Sequence, residues 1–239
     1  MNDWTYATDP SLEKPLKERL TLFPREEDML FSGLRYVWNF LIRFWLKVYF
    51  RLKIFGRENL PKGRSFVLIA NHASHLDAIA LSAAVPWRAI SATFSAAAKD
   101  YFFGTFFRSF FSAIFFNAIP FDRKKNPRQS LELCADALAV SGQALILFPE
   151  GTRSLDGMMQ PFKPGIGFLA AGTDWLVVPA YISGAHAAWP KGKSCPLPKK
   201  IAVRIGAPLS FSDVKRTKEG FAAVAETAYN QVNQLKGVS

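Results

Sequence analysis

Asn71-His72-Ala73-Ser74-His75-Leu76-Asp77 follows directly on the apolar run Phe66-Val67-Leu68-Ile69-Ala70, and the order of these two pieces decides the fold. Five apolar residues rich in β-branched and aromatic types, with Gly63 upstream, read as a buried strand. The apolar residues from Ala78 to Val85 then read as a helix, with Ser74 or Asp77 available to cap it. His72 and Asp77 therefore fall in the turn from the carboxyl end of a strand into a helix, the place where open α/β sheets hold their ligands. An imidazole steered by a carboxylate can take a proton from a hydroxyl and is stabilised once charged.

H-x-x-x-x-D alone is a common spacing, and a helix cap beside a loop histidine would explain it equally well. A second stretch adds to it: Phe148-Pro149-Glu150-Gly151-Thr152-Arg153-Ser154, again directly after an apolar run, residues 144–147. Together the two stretches resemble those of the glycerolipid acyltransferases, the family of 1-acylglycerol-3-phosphate O-acyltransferases. Two further blocks stand in that family's order, Ala118-Ile119-Pro120-Phe121-Asp122-Arg123 between them and Val177-Val178-Pro179-Ala180 after them. The resemblance covers roughly residues 50–210.

The resemblance implies direct acyl transfer. His72 would remove the proton from a lysophospholipid hydroxyl, Asp77 would fix the ring's tautomer, and the alkoxide would attack an acyl thioester. It also marks Arg123 as a contact to the acceptor phosphate, and it marks Glu150, Gly151, Thr152 and Arg153 as a substrate-binding block. Phe162-Lys163-Pro164-Gly165 matches the tail of that block, which adds Lys163. Gly151 gives the backbone freedom to turn closely around a ligand, and Arg153 offers a planar fork that fits phosphate oxygens. A carboxylate beside a phosphate would repel it, so Glu150 is expected to orient Arg153 or the acceptor hydroxyl. Ser74 could cap a helix or serve as a nucleophile.

The chain has 239 residues, 49% of them hydrophobic, enough for one full core. A net charge of +11 implies an acidic partner, whether nucleic acid, an anionic membrane surface or a phosphorylated substrate. Aromatic residues fall in apolar blocks rather than among the basic residues, which argues against a nucleic-acid groove. Cys134 and Cys195 are far apart with no C-x-x-C spacing, so no disulfide framework or zinc site is suggested, and a cytoplasmic setting fits. His72, His75 and Asp77 could also be read as metal ligands of a hydrolase, although three ligands on one turn rarely close a site. No Walker loop, nucleophile elbow or dinucleotide fingerprint occurs, and no cofactor is expected beyond acyl-CoA or acyl carrier protein as co-substrate.

Residues 1–25 carry both signs of charge and three prolines and read as an irregular arm. From Asp28 to Ile54 the chain is apolar and aromatic, interrupted by Arg35, Asn39, Arg43, Lys47 and Arg51 at four-residue steps. At about 100° per residue these make one slanted polar stripe on a greasy helix. Such a helix suits the plane of a membrane interface; packing on the domain is the alternative. Deleting residues 1–50 is expected to release the protein from membranes. Paired phenylalanines between Tyr101 and Phe116 predict a helix for core packing, acyl-chain lining or lipid contact. Arg123, Lys124, Lys125 and Arg128 make a basic loop, and residues 191–200 make a second one facing anionic headgroups or an acidic carrier protein.

Strands are expected at residues 89–94, 118–121, 144–148, 176–182 and 201–205, with Pro179 suggesting an edge or a bulge. Helices are expected at 130–140, capped at Ser130, and at 217–235. The expectation is thus an α/β protein: a single domain with a mixed, largely parallel central sheet flanked by helices, plus an N-terminal amphipathic segment. Residues 1–54 form the arm and interfacial helix and 55–239 the catalytic domain, peripheral or monotopic at the cytoplasmic face of the membrane.

Overall fold

The computed structural model describes residues 29–98, 117–122 and 125–237. The expected arm, the phenylalanine-rich stretch 101–116 and Arg123 with Lys124 lie outside the described residues. A seven-stranded sheet runs in the order β1-β7-β6-β2-β5-β3-β4. Its strands are β1 (Lys53–Phe55), β2 (Phe66–Ala70), β3 (Thr93–Ala98), β4 (Ile119–Phe121), β5 (Ala144–Leu147), β6 (Leu176–Ser183) and β7 (Ala202–Ile205). All neighbours pair in parallel except β6 with β7, so the sheet is mixed and largely parallel, as expected. β1 straddles the boundary expected at residue 54, because its three residues complete the sheet edge against β7.

β2 lies between β5 and β6 and shows why a continuous apolar run was needed. Phe66, Leu68 and Ala70 enter one core layer, Val67 and Ile69 the other. Each such burial is worth about 1–3 kcal/mol, and a one-residue slip would exchange the two layers, so the register is fixed. The first layer is closed by α1 (Met29–Tyr49), through Leu46, and α2 (Leu76–Ala84), with Phe50 just beyond α1. The second is closed by α3 (Pro127–Ala139), α4 (Gly165–Ala170) and α6 (Lys218–Gln234). A short α5 (Ala185–Ala188) follows β6. α6 begins where Thr217 accepts the Gly220 N–H, and it buries Val224 and Val232, with Phe221 and Tyr229 partly covered.

Three local expectations are corrected. The second strand starts at Thr93 rather than residue 89, because Pro86 opens a 3-10 turn closed by the Thr93 hydroxyl donating to the Ala89 carbonyl. α3 starts at Pro127, a favoured first helical residue, so Ser130 lies inside the helix. There its hydroxyl accepts the Asp122 N–H and donates to the Asn126 carbonyl. Pro179 is at neither an edge nor a bulge but inside β6, paired with Ile69 of β2. The β6–β7 pairing ends at Ala180 with Ile205, and beside Pro179 the Gly206 N–H donates to the proline carbonyl, so the missing proline donor falls just past the end of that ladder.

The first three residues of the polar stripe, Arg35, Asn39 and Arg43, face inward, whereas Lys47 is exposed. Arg35 and Asn39 are 8% and 2% exposed, whereas Phe40 and Phe44 are 63% and 61% exposed. Arg43 explains the inversion: its guanidinium donates to the Ser82 and Val85 carbonyls at 3.2 and 2.6 Å, where α2 ends. Burial and the nearby Arg57 pull its pKa down to about 10, so it remains a cation at neutral pH, suited to a helix carboxyl end. Arg57 donates to Ala83 and Ala84 carbonyls of the same terminus.

Candidate active site

β2 and β5 run in parallel with Ile69 beside Leu147, so the segments leaving their carboxyl ends emerge side by side. The first carries His72 and the second Glu150 to Ser154. His72 Nδ1 lies 3.0 Å from Asp77 Oδ2, with the two side chains 20% and 1% exposed. That same carboxylate oxygen accepts the Ala73 and Ser74 N–H groups, both at 2.7 Å. Asp77 sits in the first turn of α2, so the helix amino terminus favours its negative charge. With Nδ1–H given to Asp77, the ring keeps its lone pair on Nε2, the form a general base needs.

The second loop surrounds His72. Glu150 Oε1 accepts the His72 N–H at 2.7 Å, the Ser154 N–H donates to the His72 carbonyl at 2.9 Å, and the Phe148 ring stacks on the imidazole at 4.0 Å. Glu150 is 3% exposed, and its other oxygen accepts the Gln160 N–H at 3.2 Å. Burial pushes its pKa up to about 7, against the pull of those two hydrogen bonds and aided by the nearby Asp77 and Asp156 carboxylates. In this arrangement both Glu150 oxygens hold backbone, a role that the expectation of a carboxylate orienting Arg153 or the acceptor hydroxyl did not include. Phe148, expected only as the last strand residue, is the histidine's stacking partner. Its place two residues before Glu150 was the one available signal.

Gly151 has φ +73°, a conformation that favours glycine, and a Cβ there would lie 2.8 Å from Lys163 Nζ. The Lys163 ammonium is therefore folded over the Gly151 turn, anchored by its own N–H donating to the Pro149 carbonyl. Arg153, half-buried, lies close enough to His75 to help lower its pKa to about 4, after burial and ahead of His72. Thr152 is exposed next to it. His72, Asp77, Glu150, Gly151, Arg153 and Lys163 are thus brought to one edge of the sheet. Arg123 lies outside the described residues.

Ser74 is fully buried, its hydroxyl donating to the Trp189 carbonyl at 2.8 Å and accepting the Leu76 N–H at 3.2 Å. That occupies it as a cap and a tether, which removes the basis for a nucleophile. The three-ligand metal reading also loses its geometry: His72 is turned to Asp77, His75 lies beside Trp189, and no group of three His, Cys, Asp or Glu among the described residues could hold a metal ion. Cys134 is a core thiol, its pKa pushed up to about 12 by burial.

Fold and site together define an α/β protein with a carboxylate-steered histidine at the carboxyl edge of a largely parallel sheet, next to a cationic turn. A family described as Acyltransferase matches residues 51–183, and the chain belongs to it. It is 33% identical over 165 residues to a 1-acyl-sn-glycerol-3-phosphate acyltransferase of Limnanthes douglasii, covering 68% of this chain and 56% of that one. It is 29% identical over 188 residues to the enzyme so named from Bacillus subtilis (strain 168), covering 77% and 88%. The chain thus spans about half the length of its plant relatives. The crystal structure of the 1-acyl-sn-glycerophosphate acyltransferase PlsC from Thermotoga maritima superposes with TM-score 0.65 at 24% identity, over 89% of this chain and 85% of that one. The resemblance drawn from the four sequence blocks is therefore supported by family, relatives and fold.

Proposed function

We propose that the protein is a membrane-associated O-acyltransferase that moves a fatty acyl group from a thioester, acyl-CoA or acyl carrier protein, to the free hydroxyl of a lysophospholipid. The acceptor is 1-acyl-sn-glycerol-3-phosphate and the product phosphatidate. The observation that carries this reading is the His72–Asp77 pair clamped inside the loop bearing Glu150 and Arg153. The relatives' names supply the acceptor class.

His72 Nε2 takes the acceptor's hydroxyl proton, and the alkoxide oxygen bonds to the thioester carbonyl carbon. Collapse of the tetrahedral adduct breaks the C–S bond, and the departing thiolate takes the proton back from the imidazolium. Asp77 stabilises that imidazolium and does not itself need to be protonated. Arg153 and Lys163, with Arg123, hold the acceptor phosphate, turning a two-body encounter into an oriented one. Glu150 fixes the backbone of His72.

Membrane contact is assigned to the outer face of α1, where Leu34, Val37, Phe40, Leu41, Phe44 and Val48 are exposed on one side. No helix among the described residues is long and apolar enough to cross a membrane. On this reading α1 lies in the interfacial plane, and the cytoplasmic face is the side expected from the cysteine usage. Substituting His72 with Ala tests the chemistry. Turnover of an acyl thioester with lysophosphatidate should fall by about 100- to 10,000-fold, the usual worth of a positioned base, while vesicle sedimentation is unchanged. Retained turnover would refute the assignment.

A further inference from the structure

Three parallel strands, β2, β5 and β6, end at the site's edge. The first two deliver the histidine and the acceptor-binding turn. The third delivers residues 184–200, which none of the four family blocks includes. This segment packs on both of the others. Ser74 forms a bridge with Pro190, and its hydroxyl bonds the Trp189 carbonyl; the Trp189 ring lies 5.4 Å from His75. On the other side His186 Nε2 is 3.2 Å from the Leu155 carbonyl, and a Cβ at Gly157 would come within 2.8 Å of the His186 ring.

The segment is a built turn rather than a loose tail. The Trp189 indole donates to the Lys193 carbonyl at 2.7 Å, the Lys193 N–H to the Pro190 carbonyl at 3.3 Å, and the Leu197 N–H to the Ala188 carbonyl at 2.7 Å. Lys191 and Lys193 point out of this turn, both exposed. No Asp or Glu occurs between Asp174 and Asp213 to neutralise them. The later half of the segment belongs elsewhere, since Tyr49 bonds the Pro196 carbonyl and Arg51 the Pro198 carbonyl, tying it to the end of α1.

We infer that the Trp189 turn is the acyl donor's docking site, with Lys191 and Lys193 binding the phosphate of the donor's pantetheine arm. Coenzyme A and acyl carrier protein share that phosphate, so one pair of lysines serves either carrier. The inference rests on the acyl-transfer reading and extends it: two anionic substrates meet at His72, and the cations at Arg153 and Lys163 are taken by the acceptor. Lysine suits the task as a mobile point charge that follows a phosphodiester without demanding bidentate geometry.

The test is the charge-reversed K191E/K193E protein, full length, compared with K215E/K218E. The latter makes the same change in net charge near the start of α6, outside the three loops. Both are assayed in mixed micelles with acyl-CoA and with acyl carrier protein as donors. K191E/K193E should raise the donor KM about tenfold or more for both donors and flatten its salt dependence, with kcat and the acceptor KM within about twofold. Calorimetry of a non-transferable thioether analogue of acyl-CoA on the H72A background should show the same loss without turnover. An unchanged donor KM, with or without weaker sedimentation on anionic vesicles, overturns the proposal, the weaker sedimentation placing these lysines against headgroups. A rise confined to the carrier-protein donor also overturns it, in favour of protein-surface recognition. If the acyl-transfer reading itself fails, the unaltered protein shows no turnover with either thioester, a different result from turnover with an unaltered donor KM.

Discussion

At the scale of single residues, Asp77 and Glu150 are buried carboxylates with opposite work. Asp77 gathers three donors on one oxygen and thereby sets both the imidazole and the turn beneath it. Replacing it with Asn keeps the shape but offers an amide where an acceptor is needed, so turnover should fall by about 100-fold or more, read as kcat in the same assay. Glu150 does not touch the ring; it holds the His72 N–H. E150A leaves the part-buried His72 N–H without its acceptor, which should cost about 1–3 kcal/mol. Its pH behaviour follows from its raised pKa. The folded state keeps the Glu150 proton from pH 4.5 up to about 7 while the unfolded chain has lost it. The stability this proton supplies is therefore complete below about 4.5 and lost as pH rises through 7. Between pH 5 and pH 8 the melting temperature of E150Q should rise relative to that of the unaltered protein. A difference that does not change across that range would mean that Glu150 is ionised throughout.

At the scale of elements, α1 is the informative case. Its four-residue basic rhythm was legible, but a helix with two dissimilar faces does not reveal which one the domain takes. The carboxyl end of α2 settles the matter, because its orphan carbonyls at Ser82 and Val85 need donors and Arg43 reaches them. R43A should therefore destabilise the fold by about 1–3 kcal/mol, measured by denaturant unfolding. The double substitution F40E/F44E should leave unfolding nearly unchanged and weaken binding to anionic vesicles at least tenfold. It replaces the deletion of residues 1–50 as the test of membrane contact, since Leu46 and Phe50 are fully buried in the core and the deletion would unfold what it meant to probe. Pro179 teaches the same lesson within the sheet: a residue that argues against a central strand is accommodated because the ladder with β7 ends beside it, before Gly206.

At the scale of the molecule, one sheet separates two core layers, and the site lies where three of its strands end. The second layer depends on close approach of α4 and α6, since a Cβ on Gly167 would overlap the backbone of Phe221. G167A should cost about 3 kcal/mol or more by forcing those helices apart, visible as a lower melting temperature with the site residues untouched. The strands at 66–70 and 144–147 were readable because both faces of a central parallel strand must be apolar, a local and continuous signal. The lysine-rich segment after β6 was readable as basic. Its seat against Ser74 and Leu155 was not, since those contacts close over residues 115 and 31 positions away.

By itself the amino-acid sequence determined the strand-turn-helix order, which is encoded within a few residues where side-chain type and spacing act directly. The pairing of His72 with Asp77 and the cationic turn around Arg153 came through the resemblance carried by the four ordered blocks. Only the tertiary structure decided that α1 turns Arg35 and Arg43 inward and that Glu150 supports His72. It alone showed that the Trp189 turn closes the site's third side. The physical reason is common to all three: a side chain's direction is chosen by the distant backbone groups whose hydrogen bonds it must satisfy, and those partners meet only once the sheet has assembled.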